Sequence, residues 1–249
     1  MIGEALFLAA AAFAAGALNT VAGGGTFLTL PALVAVGVPP VAANATSAVA
    51  VFPGYLGGAM GFLPEMRSFD RPLLLRLTGV TLLGGLAGST LLLVSSDAAF
   101  SVIAPFLLLL ATGTFFFGDR LRAIAARHSR GVTPYAAPGL FAVSLYGGYF
   151  NGGLGIVLLA LFSLWGMTDL HRMNGLKNLL SFALSGISVA TFAIAGLVEW
   201  RQAVVMMVAA TLGGYLGAPL ARRMPARMLR LLIACIGLGM SAVFFLRPF

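Results

Sequence analysis

Two glycine clusters, Gly23-Gly24-Gly25 and Gly152-Gly153-Leu154-Gly155, interrupt long apolar runs in this chain of 249 residues. Polar side chains gather around both breaks. Asn19, Thr20 and Thr26 flank the first, and Asn44, Thr46 and Ser47 open the segment that follows it. Asn151 precedes the second, and Asn174, Lys177 and Asn178 open the segment after that. The chemistry these residues support is binding. A helix that restarts after glycine points unsatisfied N–H groups and the positive end of its dipole into the gap, which suits an anion or an anionic oxygen. Lys177 is the one lysine of the chain, and a charge this far into an apolar segment would act as an anchor for that anion. It also fits a lysine snorkelling from a cytoplasmic helix end that Arg172 already marks. Glycine, serine and threonine in apolar helices serve close helix packing as well as binding.

Groups for bond-making or metal chemistry are sparse. The acids Glu4, Glu65, Asp70, Asp97, Asp119, Asp169 and Glu199 all fall at segment ends or in loops, which argues against a metal-cation substrate. Cys235 is the single cysteine, and His128 and His171 are the two histidines, too few for a metal centre. No metal and no cofactor is expected. Asp169 and His171 could form a proton relay near the cytoplasmic mouth, or an ordinary polar turn. Ser185-Gly186 superficially resembles a nucleophile followed by glycine, but no histidine is placed to serve it. A Walker-type phosphate loop is absent too, so the chain is expected to be neither an enzyme nor an ATPase.

The elements that must position these residues follow from composition. Hydrophobic residues make up 60% of the chain and charged residues 9%, and the mean hydropathy is +1.02, well outside the range of soluble domains. Apolar stretches of helical length, without the alternation of barrel strands, predict an all-α polytopic membrane protein. The net charge of +8 comes from arginines clustered in loops, where orientation in the membrane accounts for them and nucleic acid need not be invoked. Met1-Ile2-Gly3-Glu4 has no basic stretch of the kind that opens a signal peptide, so the first segment is expected to stay in the protein.

Segments are predicted at about 4–22, 24–37, 40–63, 72–94 and 98–118, then 136–151, 153–166, 173–197, 202–221 and 227–246. Those beside the glycine clusters are short and read as broken or re-entrant helices. Pro53 is expected to kink its helix. Arg120, Arg122, Arg127 and Arg130, the turn bearing Arg222, Arg223, Arg227 and Arg230, and the loop with Arg67, Arg71 and Arg76 should all be cytoplasmic. Both termini then lie outside. The chain divides into a first membrane repeat over 1–118, a basic cytoplasmic linker over 119–135 and a second repeat over 136–249, together one membrane domain. Five segments per half make equivalent elements run in opposite directions, an inverted repeat. At a constant offset of 130, Gly23 meets Gly153, Gly25 meets Gly155, Asn44 meets Asn174, Phe52 meets Phe182 and Arg71 meets Arg201.

The run from Asn19 to Leu33 with its triple glycine and Pro31, then Val38-Pro39-Pro40 and Asn44-Ala45-Thr46-Ser47, resembles the signature of the sulfite exporter TauE/SafE family of membrane permeases. Tyr146-Gly147-Gly148-Tyr149-Phe150-Asn151-Gly152-Gly153-Leu154-Gly155 repeats it more loosely. The second half departs from the pattern at Leu176-Lys177-Asn178, which singles out Lys177 as the residue that would distinguish this member. The resemblance implies a secondary transporter, moving sulfite, sulfoacetate or another organosulfonate across a bacterial cytoplasmic membrane by alternating access. Export is favoured, because an anion leaves a negative-inside cell downhill. The partners implied are that small anion and the lipid bilayer, with oligomeric state left open. A channel-like pore or an intramembrane enzyme is the alternative.

Overall fold

In a computed structural model, which describes residues 2–22, 25–61, 63–129, 131–217 and 226–246, every regular element is helical. The helices are α1 (Ile2–Ala22), α2 (Thr26–Ala35), α3 (Pro40–Gly61), α4 (Leu63–Met66), α5 (Arg71–Leu93), α6 (Asp97–Phe116) and α7 (Gly118–Arg127). They continue as α8 (Ala137–Tyr149), α9 (Leu154–Leu164), α10 (Leu170–Ile194), α11 (Trp200–Leu212), which runs into a π-helical turn (Gly213–Gly217), and α12 (Ala226–Leu246). Local sequence sets several ends. Ser96 caps α6 by accepting the amide of Ala99 at 3.1 Å. Pro72 sits in the first turn of α5, where its missing N–H is harmless. Gly196, left-handed at φ 71°, stops α10.

Four of the described helices, α1, α5, α6 and α10, are long and apolar enough to cross a bilayer. By contrast, α2 and α9 have 10 and 11 residues. At 1.5 Å per residue each is about 15 Å long, roughly half the hydrocarbon thickness. These two half-length helices follow the glycine clusters.

At the centre α3 packs against α10, where the Phe52 and Phe182 rings stack. Helix α1 lies along α11 and the π turn, α5 lies along α8, and α6 pairs with α12. The α5–α8 seam is made by small residues: a Cβ on Gly88 would overlap the backbone of Leu145, and one on Gly148 the backbone of Gly85. The α1–α11 seam repeats this, with Gly16 against the backbone of Ala210 and Gly213 against that of Phe13. Close backbone approach of this kind drives helix association where lipid tails are as apolar as leucine. Outward-facing Leu75, Leu83, Phe106, Leu110 and Val208 are exposed, as expected of surface that meets lipid.

Two further features bear on the predicted segments. The segment 119–135 contains a helix, α7, with apolar Leu121 and Ala125 between Arg120, Arg122 and Arg127. Helix α3 continues unbroken through Pro53, as apolar helices can when neighbours accommodate the freed carbonyl.

Candidate functional site

The second break is built by Asn151 and Gly153, both left-handed, at φ 63° and 70°. Asparagine tolerates that conformation better than other side-chain-bearing residues. At Gly153 a side chain would also press on Thr114 and Ala111 of α6. The turn is closed by Tyr146, whose hydroxyl donates to the carbonyl of Gly152. Of the first amides of α9, those of Leu154, Ile156 and Val157 donate to the carbonyls of Asn151 or Gly153. The amide of Gly155 has no acceptor among the described residues.

Lys177 lies beside that amide. Its Cδ is 3.4 Å from where a Gly155 side chain would begin, an ordinary contact distance, so the lysine stem passes alongside Gly155. Lys177 is half-buried and has no ion-pair partner among the described residues. Asn174 and Asn178, also half-buried, lie within one turn of it on α10, and Asn178 has a bonding partner of its own.

Across the centre, both breaks reach the same point on α3. Asn19 Nδ2 lies 3.4 Å from where a Gly54 side chain would start, and the side chain of Tyr55, the next residue, faces that of Asn151. Asn19 Oδ1 in turn accepts the amide of Gly25 at 3.5 Å. Asn151 is buried, and its Oδ1 is without a partner. A buried acceptor left without a partner calls for an explanation, and a bound polar ligand would supply one. Tyr55 and Tyr146 escape a reading of the sequence, because only the fold brings α3 to the second break.

Other predicted residues hold the scaffold. Asn44 donates to the carbonyl of Tyr149 at 2.8 Å, tying α3 to the end of α8, and its Oδ1 stays unpartnered. Thr46 accepts the amide of Glu199 at 3.0 Å, and Ser47 meets Thr29 at 2.6 Å across the α2–α3 contact. Thr26 is buried at the start of α2. Gly23 and Gly24, and the side chain of Thr20, lie outside the described residues. Asp169 accepts the main-chain amides of His171 and Arg172 through the same Oδ1, at 2.9 and 3.2 Å, and so caps α10. His171 is exposed, and this amide is the contact that joins it to Asp169.

A helical membrane protein whose broken half-helices hold unpaired polar groups near its centre has the architecture of a solute transporter. The chain belongs to the sulfite exporter TauE/SafE family, whose model matches residues 8–244. A protein of Haemophilus influenzae called a probable membrane transporter is 30% identical over 235 residues, covering 92% of this chain and 90% of its own length. The Escherichia coli K12 protein YfcA, named likewise, is 26% identical, with 93% of this chain and 86% of its own length covered. A Sinorhizobium protein of the same description, ORF9, is 26% identical, with 94% and 90% covered. No solved structure matches. The protein is thus a membrane transporter of this family rather than an enzyme.

Proposed function

We propose that the protein is a secondary transporter for a small sulfur-containing anion, sulfite or an organosulfonate such as sulfoacetate, held between the two glycine breaks. The observation that carries this reading is the Lys177 stem lying against Gly155, whose amide has no acceptor among the described residues, with the open acceptor of Asn151 four positions before it. A cation and an N–H donor receive the anion's oxygens, and an acceptor is left for a protonated oxygen or an amine on the substrate. Hydrogensulfite presents both kinds of group, and so does an aminosulfonate, whereas a fully ionised sulfonate engages the donors alone.

Alternating access would arise from two inverted repeats, 1–118 and 136–249, joined by the basic segment 119–135. Reciprocal packing supports the repeat: the first helix of each half lies on a helix late in the other half, α1 on α11 and α8 on α5, while α3 faces its counterpart α10. Arginine-rich loops on one side support a bacterial inner membrane location with both termini outside. Export of a dianion down a negative-inside potential gains about 2.3 kcal/mol per charge per 100 mV, so no buried carboxylate is needed for coupling.

The test is flux in proteoliposomes loaded with sulfite, sulfoacetate, taurine, sulfate or thiosulfate. Saturable, counterflow-competent movement of a sulfur anion is expected. Transport of neutral or cationic solutes alone would refute the anion reading, and non-saturating flux would indicate a pore.

A further inference from the structure

A pocket of about 250 Å³ opens away from the glycine breaks, between the segment before α8 and the turn joining α9 to α10. Pro134, Tyr135, Trp165, Thr168, Asp169 and Arg172 line it. Helix α5 and the segment before it border this pocket, through Arg76 at the Tyr135 carbonyl and the Ser68 carbonyl at Arg172. The central site does not use any of its aromatic or basic residues.

The pocket is constructed at some conformational cost. Tyr135 is left-handed at φ 57°, an uncommon state for a bulky residue and one that persists only where its surroundings enforce it. Arg76 enforces it by donating to the Tyr135 carbonyl at 2.9 Å, and the Tyr135 ring packs on Trp165 with centroids 5.4 Å apart. The opposite wall carries a guanidinium with unused capacity. Arg172 sits 4.6 Å over the Phe69 ring and makes one long bond, 3.4 Å, to the carbonyl of Ser68. Its Nε is buried without an acceptor, and no carboxylate pairs with it among the described residues. Asp169, the acid in the lining, already accepts two main-chain amides of α10. Arginine offers five donors in a planar fork, and most of these remain open.

We infer that this pocket is a second, peripheral binding site for a small organic anion, a carboxylate or sulfonate head with a short apolar body. The head would take the guanidinium fork and the Thr168 hydroxyl, and the body would lie on Tyr135 and Trp165. A bare oxyanion fills only the polar part, so an alkylsulfonate should bind better than sulfate. The assignment rests on the pocket's own chemistry and not on the central site, so either can fail alone.

Trp165 and Trp200 are the two tryptophans, which makes the test direct. In Trp200→Phe protein, Trp165 emission reports on the pocket during titration with propanesulfonate, butyrate, sulfate and propanol. A saturable change is expected with the two organic anions, weaker by about tenfold or more in Arg172→Gln, given the strength of charge-assisted bonds. Tyr135→Gly relieves the left-handed strain while keeping the Arg76 bond to the main chain, so it should fold and should lose preference for propanesulfonate over sulfate. A response that is unchanged in Arg172→Gln and Tyr135→Gly would overturn the site. So would a response to short-chain phosphatidylglycerol with none to the soluble anions, which would make the pocket a lipid contact. Anion flux that continues with no Trp165 response would also overturn it and leave the transport reading intact.

Discussion

Phe52 on α3 and Phe182 on α10 stack with ring centroids 5.3 Å apart and planes 9° from parallel, and they are the residues that an offset of 130 positions makes equivalent. A residue touching its own counterpart is what a two-fold axis between repeats would produce. The stack lies next to Gly54 and Tyr55, where the two breaks converge, so it is placed to open or close with them. Cysteines at 52 and 182 in a Cys235→Ser background should be bridged by a short bifunctional thiol reagent, and bridging should stop flux. Full flux through the bridged protein would show that α3 and α10 do not part during transport.

The Lys177 stem runs alongside Gly155 at the start of α9. Lys177→Ala should weaken anion binding by about 10- to 100-fold, the equivalent of roughly 1.5–3 kcal/mol for a charged hydrogen bond. Lys177→Arg should keep part of it. Isothermal titration in detergent measures this directly, and unchanged affinity in the alanine variant would leave Lys177 as a snorkelling residue.

Asn151 has a backbone role and a side-chain role, and the two can be separated. Asn151→Gly keeps the left-handed turn but removes the side chain that faces Tyr55 and its open acceptor, so thermal stability should hold while flux falls about tenfold, as expected for a substrate hydrogen bond of about 1.4 kcal/mol. Asn151→Ala should in addition unfold at lower temperature, because alanine is strained at φ 63°.

The glycine seams should tolerate no side chain. Gly88→Val and Gly148→Val force α5 and α8 apart, and destabilisation of about 1–3 kcal/mol or more is expected for each. Thermal unfolding followed by circular dichroism would read it. Substitution of Gly79, which has open space around it, should be near neutral and serves as the control.

Thr46 was grouped by sequence with the binding residues, yet its hydroxyl secures the turn before α11 through the amide of Glu199. Thr46→Val should lower stability by about 1 kcal/mol and leave the order of preference among anions unchanged in competition assays. A changed order would return Thr46 to the site.

Hydropathy by itself determined the all-helical membrane class and nearly all segment boundaries, because in lipid only a helix satisfies its own backbone. The glycine clusters, Asn151 and Lys177 were visible as breaks and as a charge out of place, which are local properties of a chain. The tertiary structure decided which polar residues remain free. Asn44, Thr46 and Ser47 look like ligands in one dimension, and each is engaged by a partner elsewhere in the chain, 105 positions away for Asn44, 153 for Thr46 and 18 for Ser47. Tyr55, Tyr135 and Arg172 look unremarkable in sequence and gain their roles from neighbours on other helices. A hydrogen-bonding group's availability depends on what packs against it, and packing between distant helices is set by shape, which no short stretch of sequence encodes.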